Sequence, residues 1–196
     1  MTILKKILLM MFFIVSFSLT GFSATYTIDK DHSSITFKIR HLLTKVQGTF
    51  NDFSGEIQYD PDHPETWEVN AVIQTASIDT ANVNRDNHLR SPDFFDVEKN
   101  PLITFDSVNV DVTDANHAKV NGTLILHGVK KEITLDVDIN GVGTDPWGSV
   151  KAGFSASAAI NRKDFGIVWN EALDSGQFLL GDDVEIRLEI EGLLKK

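Results

Sequence analysis

The segment KEITLDVDIN at positions 131–140 decides the fold class of this chain, because its side chains alternate between apolar and polar. Ile133, Leu135, Val137 and Ile139 fall on one face, and polar residues separate them. Successive side chains of an extended strand point to opposite faces of a sheet. The pattern therefore predicts a β-strand with one buried face and one solvent-facing side.

The same alternation recurs on both sides of this segment and dominates the chain. The clearest runs cover residues 35–40, 68–73, 150–160 and 184–191, and further strands are expected at 48–53, 55–59, 102–112 and 118–126. Turn signals rich in Asp, Asn, Gly and Pro separate these runs. Eight or more antiparallel strands predict a closed barrel or a sandwich. An eight-stranded barrel has room for one small ligand.

Two places depart from this rhythm. Residues 84–95 (NRDNHLRSPDFF) do not alternate, and we expect one or two short helices around Ser91-Pro92, since proline is favoured in a first helical turn. Asn121-Gly122 fits either a turn or a bulge within a strand, and the residues alone do not decide between them.

The N-terminal residues have the order of a secretory signal peptide. Lys5 and Lys6 precede an apolar run at 7–19, and small residues follow at Gly21 and Ser23. The run is shorter than the roughly 20 residues of a membrane-spanning helix, so cleavage is favoured over an uncleaved anchor. We expect cleavage after Ser23 rather than Ala24, which leaves residues 24–196 as one domain in the periplasm.

Charge and cysteine content exclude several classes of function. The net charge is −10, and loss of the leader with its two lysines leaves 16 basic and 28 acidic side chains, a net charge of −12. Such a surface repels nucleic acid. The sequence has no cysteine, which excludes disulfides, thiol chemistry and cysteine-based metal sites.

The remaining polar residues give no catalytic or metal motif. The six histidines have no recognised zinc spacing, and no G-x-S-x-G sequence is present. Asp164 beside Arg162 is explained by a salt bridge in a loop. We therefore expect no catalytic residues, no metal and no cofactor.

Several short stretches together resemble the YceI family of bacterial periplasmic, polyisoprenoid-binding proteins. They occur in family order across residues 26–193 and are YTID at 26–29, HSSITF at 32–37, GTF at 48–50, FSG at 53–55, RDNHLRS at 85–91, FFD at 94–96, PLITF at 101–105, GTL at 122–124, HGV at 127–129, NR at 161–162 and DFG at 164–166. The resemblance implies an all-β, lipocalin-like, extended eight-stranded antiparallel β-barrel. It also implies an isoprenoid chain held along a hydrophobic interior and no catalytic machinery.

A barrel of this kind would hold the lipid with its inward apolar side chains. The residues expected to line it are Phe37, Ile39, Phe50, Ile73, Phe105, Leu126, Phe154 and Phe165. Phenylalanine offers a large apolar area with no polar group that needs a partner. The alternative is ordinary packing, since many small barrels fill their interiors with side chains.

The irregular segment is the expected lid and headgroup site. Arg85 and His88 would hydrogen-bond a hydroxyl, a phosphate or a quinone oxygen, with Phe94 and Phe95 beside them. The alternative is that Arg85 and Asp86 pair with the backbone or with each other and stabilise the loop.

The leading function is a periplasmic lipid-binding protein that encloses a polyisoprenoid, quinone or fatty-acyl chain for transport, storage or stress response. It would make transient membrane contact, and an exposed edge strand would allow a homodimer. The alternatives are an envelope enzyme acting on isoprenoid lipids and a ligand-free stress-related interaction protein. An enzyme would need ionisable groups converging in the cavity, and the ligand-free protein would have a filled interior.

Overall fold

The computed structural model describes residues 24–173, 176 and 178–195, so the predicted leader at 1–23 lies outside the described residues. Most of the described chain is β-strand, and none of its helices is long and apolar enough to cross a membrane. The elements are β1 (Ala24–Ile28), β2 (Ser34–His41), β3 (Thr44–Phe50), β4 (Phe53–Tyr59), β5 (Glu68–Gln74), β6 (Ile78–Asp79), α1 (Val83–Arg90), β7 (Leu102–Asp114), β8 (His117–Leu126), β9 (Val129–Thr144), β10 (Val150–Asn161) and β11 (Leu180–Leu194).

Eight of these strands form a closed antiparallel ring in the order β1-β4-β5-β7-β8-β9-β10-β11. The first and last strands close it, with Tyr26 opposite Leu194 and Ile28 opposite Gly192. The expected eight-stranded antiparallel barrel is therefore confirmed.

The wall extends beyond the ring at one end, which we call the upper end. There β2 pairs with the first part of β11, β3 pairs with β2, and the two-residue strand β6 pairs with β3. A turn of 3-10 helix at Lys30–His32 separates β1 from β2, and the break at Asn51-Asp52 separates β3 from β4. The segment between β5 and β7, which contains α1, lies at this upper end.

The buried side chains form two clusters along the barrel. The larger includes Ile35, Phe50, Phe105 and Leu126. The smaller lies at the opposite, lower end and consists of Tyr26, Ile57, Tyr59, Ala118, Ile139, Ala152 and Phe154. Each large apolar side chain taken from water contributes roughly 1.5–3 kcal/mol, so these clusters supply the main driving force for a fold without disulfides.

The strands run longer than the sequence pattern indicated. β11 begins at Leu180 and β9 extends from Val129 to Thr144, because strand pairing continues past the last alternating residues. β1 and the first half of β3 are missing from the predicted strands. Ala24, Tyr26 and Ile28 do alternate with threonines, but over only five residues, and β3 begins with the polar pair Thr44-Lys45.

Segment 84–95 contains one helix, α1, which agrees with the prediction of one or two short helices, and turns rather than a second helix follow at Pro92. The Asn82 side chain caps α1 by accepting a hydrogen bond from the Arg85 N–H, and α1 ends at Arg90. Ser91 is extended, as a residue before proline prefers, and tight turns follow in which the Phe94 N–H donates to the Ser91 carbonyl.

Asn121-Gly122 lies inside β8, and the bulge is on the neighbouring strand. Ser107 pairs with Gly122 and Asn109 with Asn121, so Val108 is the extra residue in β7. The Asn121-Gly122 pair therefore lies on the strand opposite the bulge and not on the bulged strand itself.

Two phenylalanine rings lie flat against glycine backbones in the wall. The Phe37 ring covers Gly48 on β3, and the Phe105 ring covers Gly122 on β8, so that a β-carbon at either glycine would overlap the ring. Both phenylalanines also line the interior of the barrel.

We expect Gly122→Ala to lower the free energy of unfolding by about 1–3 kcal/mol, because its methyl group overlaps the Phe105 ring. Urea denaturation measures the loss. The control is Gly143→Ala on β9, where nothing lies within 4 Å of the added carbon. Equal losses in both variants would show that the contact with Phe105 is unimportant.

Candidate functional site

The barrel encloses a cavity of about 540 Å³ whose wall is almost entirely apolar. It runs from the upper end, where Asn84 is exposed to solvent, down to Ile28, Ile57 and Ile190. The inward faces of the strands form it, so the alternation that buries one face of each strand also makes the interior dry.

Side chains from nearly every part of the barrel contribute to this wall. β11 supplies five residues and its hydrogen-bonded neighbour β2 supplies another five, while β5 and β7 supply much of the remaining wall. The strand residues that line it are Ile28, Ile35, Thr36, Phe37, Ile39, His41, Val46, Phe50, Phe53, Ile57, Val69, Ala71, Ile73, Ile103, Phe105, Leu124, Leu126, Ile133, Leu135, Ile160, Leu180, Val184, Ile186, Leu188 and Ile190.

Six of the eight side chains expected to line the barrel do line the cavity: Phe37, Ile39, Phe50, Ile73, Phe105 and Leu126. The rings of Phe37 and Phe50 lie 5.7 Å apart, and Phe95 meets Phe50 edge-on at 5.9 Å. An aromatic row therefore joins the wall to the segment that follows α1.

Phe154 and Phe165 lie outside this wall, which corrects the expectation. Phe154 belongs to the cluster at the lower end, where its ring meets Tyr59 at 5.2 Å. Phe165 lies in the 3-10 turn Arg162–Phe165, only 2% exposed, and packs against the core from behind the cavity wall. Alternation predicts which face a side chain takes but not its depth along the barrel.

The four residues assigned to the lid, Arg85, His88, Phe94 and Phe95, all line the upper part of the cavity. α1 presents Arg85 and His88, and the turns after it present the two phenylalanines. The His88 ring packs edge-on against Phe94 and Trp169, each at 5.0 Å, and its Nε2 lies 2.9 Å from Asp93.

Arg85 and Asp86 both bind Thr80, as the alternative structural role predicted. Arg85 donates from Nε to the Thr80 hydroxyl and from Nη2 to the Thr80 carbonyl, each at 2.7 Å. Buried Asp86 accepts from the Thr80 N–H at 2.9 Å and from its hydroxyl. Among the described residues, Arg85 Nη1 has no hydrogen-bond partner, and Arg85 is one of the residues that line the cavity.

Arg162 is a cavity-lining residue that the sequence analysis assigned only to a loop salt bridge. Its side chain is buried, and it donates to the carbonyls of Gly181 at 2.9 Å, Ile167 at 2.8 Å and Trp169 at 2.7 Å. Its Nη2 lies 3.3 Å from Asp182. Arg162 therefore fastens the Ile167–Trp169 stretch, which borders the upper cavity, to the start of β11. The only indication of this residue in the sequence was that it belongs to the NR motif at 161–162.

One polar cluster outside the cavity has the composition of a metal site. Ligand atoms of Asp29, His32 and Glu191 lie within 4.8 Å of one another at the junction of β1 and β2. Lys151 Nζ already binds Asp29 and Glu191. The hydrogen bond from His32 lowers the pKa of Asp29, and the bond to Glu191 raises the pKa of Lys151. The cluster is therefore an ion-pair network that fastens this junction.

The profile of the YceI-like domain matches residues 26–192 of the chain. A UPF0312 protein of Serratia proteamaculans is 42% identical over 180 residues, which cover 90% of each chain. The crystal structure of a Campylobacter jejuni YCEI protein has 36% identity and a TM-score of 0.69, with 80% of this chain and 90% of that chain covered.

A more distant structure shares the fold alone. A polyisoprenoid binding domain from Saccharophagus degradans, described as implicated in plant cell wall breakdown, has 17% identity and a TM-score of 0.64. The match covers 87% of this chain and 98% of that domain.

We expect Arg162→Met to lower the free energy of unfolding by about 3 kcal/mol, because three carbonyls lose a charged donor in a buried setting. Thermal or urea denaturation measures this loss. Lys163→Met is the control, since the exposed Lys163 makes one surface ion pair and should cost less than about 1 kcal/mol. Similar losses would argue against the role of Arg162 in fastening the wall.

Proposed function

The chain belongs to the family of YceI-like domains, and from this premise we propose that it is a lipid-binding protein that encloses an isoprenoid chain in its barrel. The observation that carries the proposal is the dry cavity of about 540 Å³ along the barrel. The distant Saccharophagus neighbour, a polyisoprenoid binding domain with the same fold, supports this choice of ligand.

The energetics of such a ligand suit this cavity. Each methylene taken out of water gains roughly 0.8 kcal/mol, so an isoprenoid chain has almost no free concentration in an aqueous compartment. A closed apolar interior shields the chain without any chemical step. Quinone tails and fatty-acyl chains share this property, and the isoprenoid is preferred because the Saccharophagus domain with this fold is a polyisoprenoid binding domain.

The headgroup would lie at the upper end, beside α1. Arg85 Nη1 is the available donor there, and a guanidinium suits a phosphate, a hydroxyl or a quinone oxygen. His88 lines the same region, although Asp93 and two aromatic rings already hold its imidazole. We therefore assign Arg85 as the headgroup contact and His88 as part of the wall.

Binding rather than catalysis is supported by the polar groups that reach the cavity. Arg162 and His88, which line the cavity, are held by protein partners, and among the described residues no Asp or Glu side chain lines it. The size of the cavity argues against a filled barrel. With the leader-like residues 1–23, we place the protein in the periplasm, where it would carry or store its lipid.

The upper end also has a surface suited to contact with a membrane. Exposed apolar side chains border the opening, and each is at most two positions in sequence from a residue that lines the cavity. We call them the rim: Leu42, Leu43, Val83, Val168 and Phe178. Leu43, at the tip of the β2–β3 hairpin, is 97% exposed. A lipid would pass between bilayer and cavity across this rim.

Ala71→Trp tests enclosure, because Ala71 lines the cavity opposite the Phe105 backbone and a tryptophan there fills the path of the chain. Native mass spectrometry and organic extraction of protein exported in its own host should show an isoprenoid on the wild type and at least tenfold less on the variant. Ala115→Trp, in the exposed β7–β8 turn, should retain the lipid.

The chain-binding proposal fails if the wild type carries no lipid and also takes up no added polyprenol, quinone or fatty acid. It also fails if folded Ala71→Trp binds as much lipid as the wild type. Circular dichroism establishes the folding of both variants.

Leu43→Glu tests the rim. We expect transfer of a labelled polyprenol from phosphatidylcholine vesicles to slow several-fold, because a carboxylate at the rim opposes insertion among lipid tails. Binding of the same polyprenol from cyclodextrin should be unchanged. Trp147→Glu is the control, since Trp147 is 87% exposed in the β9–β10 turn at the opposite end. Equal slowing in both variants would contradict a role for the rim.

A further inference from the structure

The lower end of the cavity has a definite floor. Ile28, Ile57, Val69 and Ile190 line the cavity and also belong to, or pack against, the lower cluster. Behind them, Tyr26, Tyr59, Ala152 and Phe154 are buried and do not line the cavity. The apolar interior therefore continues past the floor, but side chains fill it there.

Aromatic contacts make this filling rigid. The Tyr59 ring meets Phe154 edge-on at 5.2 Å and the Trp67 ring at 4.7 Å. The Trp67 indole N–H donates to the carbonyl of Asp60, which fixes Trp67 over the lower end. Well-packed aromatic rings do not withdraw without leaving a void, so a ligand chain cannot pass them at low cost.

The depth of the cavity follows from β11, which lines it from Leu180 to Ile190. These residues span about 33 Å along the strand at about 3.3 Å per residue. With the strand tilt of about 40° that barrels require, the depth along the barrel is about 25 Å. The volume of about 540 Å³ then gives a mean cross-section of about 20 Å². That admits one chain but not two, since packed carbon atoms lie about 4 Å apart.

This depth corresponds to a definite length of isoprenoid. An extended chain advances about 3.5 Å for every three bonds, as a polypeptide backbone does, so about 25 Å holds about 21 bonds. Each isoprene unit contributes four bonds to the main chain. The cavity therefore holds about five units of one extended chain.

We propose that this floor, supported from below by the rings of Tyr59, Trp67 and Phe154, sets the chain length that the protein selects, with about five isoprene units enclosed. The inference rests on the proposed function and adds the size class of the ligand. A shorter chain leaves a void above the floor. A longer chain leaves its excess units and its headgroup outside the opening, exposed to water.

The test is competition among all-trans polyprenols of two to eight isoprene units, presented together at equal concentration from cyclodextrin and read by native mass spectrometry. For the wild type, occupancy should be highest at about five units. It should fall tenfold or more for each further unit, because that unit remains in water.

Two floor variants should move this maximum in opposite directions. Val69→Phe raises the floor and should shift the maximum to chains about one unit shorter, while Phe154→Leu opens the floor and should shift it to longer chains. The control is Val110→Phe, on β7, which packs against the same cluster but does not line the cavity. Its maximum should stay in place.

The outcomes separate the two proposals. If no polyprenol binds to the wild type, the proposed function fails. If polyprenols bind but folded Val69→Phe keeps the wild-type maximum, or Val110→Phe shifts it equally, the floor does not set the length. Val69→Phe alone decides the question if Phe154→Leu does not fold.

Discussion

The pairing of β1 with β11 is the constraint on which the rest of this structure depends. Tyr26 lies opposite Leu194 and Ile28 opposite Gly192, and these hydrogen bonds turn an open sheet into a ring. A closed ring has no free edges, so its backbone groups are satisfied within the wall itself. Eight strands also give this ring an interior wide enough for one small ligand, so the centre of the barrel can remain open.

The open interior also depends on how the wall side chains pack. The Phe37 ring packs over Gly48 and the Phe105 ring packs over Gly122, because neither glycine has a side chain. Both phenylalanines line the cavity. At the lower end Tyr59, Trp67 and Phe154 point at one another instead and close the barrel. Aromatic residues thus line the wall where a glycine faces them, and they close the barrel where other aromatic rings face them.

The upper end is organised by two arginines. Arg162 uses backbone carbonyls as acceptors and fastens the Ile167–Trp169 stretch to β11, so its charge is largely committed to structure. Burial lowers its pKa, while Asp182 opposes that shift. Arg85 uses Nε and Nη2 to bind Thr80, and among the described residues its Nη1 has no partner. Arg162 therefore holds the opening together, and the headgroup contact that we propose falls to Arg85.

The sequence by itself determined most of the strands, the irregular segment 84–95 and the family, because alternation with a period of two and short motifs are local properties. Six of the eight residues that it predicted for the barrel lining do line the cavity, as do the four residues that it predicted at the upper end. Only the tertiary structure separated Phe105, in the wall, from Phe154, below the floor, since both occupy inward positions of alternating strands. Depth along a barrel depends on how distant strands are paired and staggered, and ring closure sets that stagger. The burial of Arg162 among the carbonyls of Gly181, Ile167 and Trp169 has the same origin, because a chain turn and the start of a later strand meet only in the closed barrel.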